Sequence, residues 1–218
     1  MKSKIKVGLI RVITLQDEEL LKLHGRIIEE NFPYMKVISR CIPNQPFGIY
    51  DDKTEQEAIP KIVALGLEMA KNDIKALIIS CAADPGVEDL RSKLKIPVIG
   101  AGSASAHLAL GIADRIGVIT ISMEVPKVIE DILVDKLIAK ATPKNVKTTL
   151  DLMKKENEKY ILEAALQLKR KECNAIILAC TGFSTIRISS KISRKTGVTV
   201  IDPVIAAGLF AWYSTLIA

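Results

Sequence analysis

A chain of 218 residues with 49% hydrophobic and 26% charged residues can bury a sizeable core, which excludes a disordered, collagenous or disulfide-stapled chain. The 31 basic residues outnumber the 25 acidic ones for a net +6, but the signs intermix, as in KKENEK and KRKEC, and aromatics make up only 4%. Solvated helix faces explain that pattern better than a nucleic-acid surface, which needs clustered cations or stacking rings. No apolar run reaches the roughly 18 residues of a bilayer span, and the N-terminal MKSKIKVGLIRVITLQDEE shows no small-residue cleavage site, so a cytosolic location and no membrane partner are expected.

In chain order, six short runs rich in Ile and Val predict strands buried on both faces: KVGLIRV from Lys6, ALIIS from Ala76, PVIG from Pro97, RIGVITI from Arg115, AIILA from Ala175 and VTVID from Val198. Helical spacing fills the intervals in DEELLKLHGRIIEENF, EQEAIPKIVALGLEMAKN, VEDLRSKL, VPKVIEDILVDKLIAK and EKYILEAALQLKRKE, and again in the C-terminal AAGLFAWYSTLIA. Strand alternating with helix predicts an α/β fold with parallel sheets. Three landmarks also return in order: Lys6 with Arg115, Ile74 with Cys173, and Ile96 with Val198, at offsets of 109, 99 and 102. Offsets near one hundred predict an internal duplication.

The second of these repeats aligns Cys81 with Cys180, each just past a strand. Ligands of open α/β sheets bind at the carboxyl ends of strands, where loops lead into helix N-termini. Moving a proton from one face of a carbon beside a carbonyl to the other needs two bases, one starting as thiolate and the other as thiol. Helix N-terminal amides favour the thiolate, and the small neighbours Ser80, Ala82, Ala83, Thr181 and Gly182 can aim backbone N–H groups at an enolate. The alternative is that both cysteines are buried core residues. Cys41 and Cys173 have no partner at an equivalent position and read as structural. In a cytosolic chain all four cysteines are expected as thiols.

Arg11 and Thr14, after the first strand, could contact a carboxylate or imide, with a surface or interdomain ion pair as the alternative for Arg11. Gln45, Gly48 and Tyr50 lie in the Pro-containing IPNQPFGIYDD, a predicted loop that is a candidate for the site's lining. Gly100, Ala101, Gly102 and Ser103 mimic a dinucleotide loop but lack its third glycine, so a helix N-terminus with Ser103 as an anion contact is the better reading. His24 and His107 have no metal-ligand spacing to any cysteine. Asp84, before Pro85, is expected to cap the following helix, with positioning of Cys81 as the alternative.

SCAADPGVEDL and LACTGF, with their cysteines 99 residues apart, resemble the two cysteine motifs of the cofactor-independent aspartate/glutamate/hydantoin racemase superfamily, and IPVIGAGSASAHLAL is similar to the strand and helix after its first motif. The resemblance spans nearly the whole chain. It implies two pseudo-symmetric α/β domains, each a parallel sheet flanked by helices, with the active site in the cleft between them. Residues 1–98 plus 207–218 would form the first domain and 99–206 the second. It further implies no pyridoxal phosphate and no metal, a small-molecule substrate, and Cys81 and Cys180 as the acid/base pair; self-association is left open. CAADPG and CTG lie nearer the hydantoin branch than the glutamate branch, which carries Asn-Thr after the first cysteine and His or Glu after the second Cys-Thr. The chain departs from the hydantoin branch in having Arg11, Val12, Ile13 and Thr14 where an Asn-Pro-Asn-Thr-like loop is usual. Rival readings are aspartate/glutamate racemisation, maleate isomerisation or malonate decarboxylation on the same scaffold, or a non-enzymatic protein that binds a small anion.

Overall fold

The computed structural model describes residues 4–122 and 124–216. The chain forms two compact units: one runs up to Ala101 and resumes at Val204, and the other is Gly102–Pro203.

The first unit is built from β1 (Ile5–Arg11), α1 (Glu18–Asn31), β2 (Met35–Cys41), α2 (Asp52–Met69), β3 (Ala76–Ser80), α3 (Val87–Lys93) and β4 (Val98–Gly100). Its strands form one parallel sheet in the order β2-β1-β3-β4, with Val7 opposite Val37 on one side and Ala76 on the other. The interiors of the central strands β1 and β3 are apolar because helices cover parallel sheets on both faces: Val7, Leu9, Ile10 and Ala76 to Ile79 are all buried. Helix α2 starts where Asp51 and Thr54 cap each other, the Thr54 N–H donating to Asp51 Oδ1 at 2.8 Å.

Helix α4 (Ala101–Leu110) leads into the second unit, where β5 (Ile116–Ile119), α5 (Lys127–Leu133), β6 (Leu137–Ala141), α6 (Thr149–Leu152), α7 (Glu158–Arg170), β7 (Ala175–Leu178), α8 (Gly182–Thr185), α9 (Ser189–Thr196) and β8 (Thr199–Ile201) follow. The order is β6-β5-β7-β8, again all parallel, so both sheets share one topology. The core of this unit gathers Ile119, Ile161, Ala165, Leu178, Phe183 and Ile192. Helix α10 (Pro203–Leu216) closes the chain and packs back on the first unit, where the Trp212 ring stacks on Phe32 at 6.1 Å between centroids. The last two residues of the predicted C-terminal helix, Ile217 and Ala218, lie outside the described residues.

Two expectations need correction. VPKVIEDILVDKLIAK is not one helix: α5 ends where Val134 takes φ 49, and LIAKA becomes strand β6, with Ala139 opposite Gly117. A β-branched residue with positive φ cannot continue a helix. Secondly, Asp84 does not cap α3. The N-cap is Gly86 at φ 71, with no side-chain cap, and the Asp84 carboxyl turns instead toward Gly100 at the end of β4. No helix among the described residues is long and apolar enough to cross a membrane.

Candidate active site

In a sheet ordered β2-β1-β3-β4 the chain leaves β1 toward one edge and then crosses to the other side, so the topological switch point lies between β1 and β3. Arg11 ends β1 there, Ser80 ends β3, and Cys81 follows it. The second sheet has its switch point between β5 and β7, where Thr120 and Cys180 stand. Both aligned cysteines therefore stand at the switch point of their own sheet, the position at which open α/β sheets generally bind ligands.

In the first unit Cys81 is half-buried, against the cluster that includes Ile10, Val12, Ile62 and Val87. Its turn closes through the Asp84 N–H, which donates to the Cys81 carbonyl at 3.3 Å. Ala82 is buried and Ala83 half-buried, so this turn brings no charged side chain next to the thiol before Asp84. Arg11 is only 5% exposed, and its Nη1 donates to the Leu20 carbonyl at 2.7 Å, so the side chain lies inside the unit and not on its surface. Thr14 and Gln45 pin one loop to another: Thr14 Oγ1 donates to the Ile42 carbonyl and accepts the Gln45 N–H, both at 2.7 Å. The Gln45 amide ties this loop to α2, donating to the Gly48 and Thr54 carbonyls and accepting from Lys61 Nζ at 2.7 Å. Cys41 and Thr14 line an open groove of about 700 Å³ with Arg40 and Lys61.

Ser80 has a partner that the sequence did not announce. His24, from α1, is fully buried and its Nδ1 lies 2.8 Å from Ser80 Oγ. Burial, and after it the charge of Arg11, holds the His24 pKa well below its ordinary 6.5. Below that value the unfolded chain binds a proton that the folded chain refuses. The His24 contribution to stability is therefore most favourable above pH 6.5 and declines as the pH falls, by up to about 1.4 kcal/mol per pH unit, until the buried ring itself charges. Urea unfolding followed by the fluorescence of Trp212, which lies in the same unit as His24, should show this slope between pH 7.5 and 5, and His24→Gln should flatten it; a wild-type protein with no slope in that window contradicts a buried neutral imidazole.

In the second unit, Cys180 is half-buried and its Sγ accepts the Gly182 N–H at 3.4 Å. The Thr149 hydroxyl lies 3.8 Å from the same sulfur. Hydrogen-bond donors directed at sulfur favour negative charge on it. Gly182 is required by close approach: a Cβ there would stand 2.7 Å from Thr149 Cγ2 and 2.8 Å from Leu152 Cδ1. Helix α6 thus lies directly over the cysteine turn, anchored by the buried Asn157, which donates to the Asp151 carbonyl at 2.9 Å. The Asp151 carboxylate is held far below its usual pKa, first by Lys154 and then by the Lys147 N–H, so α6 keeps a charged cap at any ordinary pH. Thr181 is buried, and Ser184 donates to the buried Asp202 carboxylate at 2.7 Å. Gly102 is buried and Ser103 half-buried on the first turn of α4, with His107 Nδ1 2.8 Å from the Ser103 carbonyl oxygen. Cys173 is 4% exposed, and burial raises its pKa, the state of an inert thiol. Among the described residues no group of three or more His, Cys, Asp or Glu side chains is placed to share a metal ion.

The family model for Asp/Glu/Hydantoin racemase matches residues 25–209, a span that holds both cysteine turns. The chain belongs to the Asp/Glu/hydantoin racemase family. Its racemase relatives include the hydantoin racemase of Pseudomonas sp. (strain NS671), 28% identical over an alignment of 176 positions that covers 76% of this chain and 68% of that one. The glutamate racemase of Limosilactobacillus fermentum is 25% identical over an alignment of 193 positions that covers 82% of this chain and 70% of the other. Allantoin racemase from Klebsiella pneumoniae shares the fold with a TM-score of 0.85, at 19% identity over 98% of this chain and 89% of that one. Racemases are isomerases, and this chain is an enzyme of a racemase family.

Proposed function

We propose that this racemase-family chain inverts the Cα stereocentre of 5-substituted hydantoins, without cofactor or metal, using Cys81 and Cys180 as paired acid and base. The observation that carries the reading is the equivalent placement of two half-buried thiols, each at the switch point of a sheet with the same strand order. One thiolate takes the Cα proton, the electron pair moves into the ring carbonyl, and the other thiol returns a proton to the opposite face, leaving the first as thiol and the second as thiolate. Backbone N–H groups of the cysteine turns stabilise the developing enolate. A hydantoin suits weak bases such as thiolates because its ring carbonyl acidifies Cα more than the carboxylate of a free amino acid does.

The choice of substrate within the family rests on what stands beside the thiols. Ala82, Ala83 and Gly182 offer no cationic or hydrogen-bonding side chain for the distal carboxylate of glutamate or aspartate. A neutral imide needs none. Two curated hydantoin racemases, of Pseudomonas sp. (strain NS671) and Rhizobium meliloti, stand among the relatives and support the same choice. The cytosol, where thiols stay reduced, is the fitting compartment.

The test is Cα deuterium exchange and chiral analysis in D₂O, run with EDTA and hydroxylamine present, on both enantiomers of 5-benzyl- and 5-isobutylhydantoin, glutamate and aspartate. Interconversion of the hydantoin enantiomers with deuterium at Cα is expected, with little turnover of the amino acids. Turnover confined to glutamate or aspartate would overturn the hydantoin assignment, and loss of activity in EDTA would overturn the metal-free mechanism.

A further inference from the structure

The register of the two sheets sets up a residue-by-residue correspondence. Ile78 pairs with Ile99 across β3 and β4, and Ile177 pairs with Ile201 across β7 and β8. Cys81 and Cys180 each stand third after the paired isoleucine of their own strand, and Gly100 and Asp202 each follow the paired isoleucine of the neighbouring strand. Gly100 therefore occupies, in the first unit, the place that Asp202 occupies in the second. Each precedes a long helix, α4 after Gly100 and α10 after Asp202.

A Cβ added to Gly100 would lie 2.0 Å from Oδ2 and 2.1 Å from Cγ of Asp84. The carboxyl of Asp84 thus fills the space that a side chain at position 100 would take. In the second unit the carboxylate comes from the strand end itself: Asp202 is 7% exposed and accepts from Ser184, which follows the Cys180 turn in α8. One half sends its carboxylate from the cysteine turn to the strand end, and the other sends it from the strand end to the cysteine turn. The span bridged is the same in both, from the thiol-bearing turn to the head of the next helix, where negative charge is favoured. Asp84 holds φ 55, a left-handed conformation in which Asp and Asn are enriched among side-chain-bearing residues.

We propose that Asp84 and Asp202 are positioning residues, each holding the thiol-bearing turn of its own half against the end of the neighbouring strand. The role in catalysis rests on the reading of Cys81 and Cys180 as acid and base; the role in the turns does not. Asp84→Ala should lower kcat about tenfold or more while KM stays within about threefold, because a misplaced base costs rate more than binding. Gly100→Asp in the wild-type background drives a second carboxyl into an occupied place and should be at least as damaging. The double variant Asp84→Ala/Gly100→Asp moves the carboxylate to the strand end, as in the second unit, and should recover most of the lost kcat.

A readout independent of substrate is the ratio of iodoacetamide alkylation rates at Cys81 and Cys180, resolved by peptide mass spectrometry on the folded protein. Asp84→Ala should shift that ratio about threefold or more, Asp202→Ala should shift it in the opposite sense, and the double variant should return it toward wild type. Asp84→Asn, which keeps the left-handed preference, replaces the alanine variant if that one fails to fold, and should shift the ratio in the same sense. A wild type inactive on every hydantoin overturns the proposed function but leaves the alkylation series to decide this inference. An unchanged ratio in the Asp84 variant, or a double variant no nearer wild type than the single, overturns the inference whatever the substrate.

Discussion

Cys81→Ser and Cys180→Ser are each expected to abolish racemisation, with losses of at least the roughly 10²- to 10⁴-fold that a general acid or base supplies. Inversion needs one group to take the proton and another to return it, and a serine hydroxyl is far too weakly acidic to fill either role. Each single variant should still exchange the Cα proton of one enantiomer with solvent, because the surviving thiolate serves one face of the carbon. The enantiomer that exchanges should switch between the two variants, which chiral chromatography with mass detection of deuterium reads directly. Cys173→Ser should keep turnover near wild type with only a packing cost, since its thiol is buried in the core of the second unit. Cys41→Ser should also stay near wild type. Wild-type racemisation in a folded Cys81→Ser or Cys180→Ser protein would end the two-thiol mechanism.

Phe183→Ala should produce the largest loss of stability, about 3–5 kcal/mol, the range for removing a fully buried aromatic ring. Phe183 is 0% exposed, lies in the core with Ile119, Leu178 and Ile192, and sits in α8 directly after Gly182, whose N–H meets the Cys180 sulfur. The cavity would therefore loosen the turn that holds this thiol as well as the core beneath it. Because the chain has two units, a single unfolding midpoint is a poor measure. Hydrogen exchange of the amides in β5 and β7 is the better one, and faster exchange there by the equivalent of less than about 1 kcal/mol would show that the core closes around the gap.

Much of this architecture was legible because strands covered on both faces leave an unbroken run of Ile, Val and Leu. Both central strands of each sheet, β1 with β3 and β5 with β7, carry that mark. The two strands that escaped, β2 and β6, are edge strands on the same side of equivalent sheets. β2 carries Lys36, Ser39 and Arg40 within MKVISRC, and β6 sits at the end of a stretch whose Ile, Leu and Val spacing reads as helix until the positive φ of Val134 breaks it. The opposite edges, β4 and β8, were readable because Pro97 and Asp202 punctuate short β-branched runs. At the site, the aligned cysteines were visible from the repeat and Asp84 was singled out beside Cys81, but the partners these groups meet were not. His24 beside Ser80, Thr149 over Cys180 and Asp84 against Gly100 join residues distant in sequence, and no local pattern marks such pairs.

The return of α10 to the first unit gives the two halves different histories during synthesis. The second unit is one uninterrupted stretch, Gly102–Pro203, and all of its strands exist once that stretch has emerged from the ribosome. The first unit begins earlier yet waits longer, since the helix that stacks Trp212 on Phe32 is translated only after the whole second unit. Domains tend to fold in the order in which they are made, but here the half that starts first is the half completed last. Until then Ile28 of α1 and Phe32 just after it lack the helix that covers them in the folded chain, and the nascent chain carries an unfinished apolar surface.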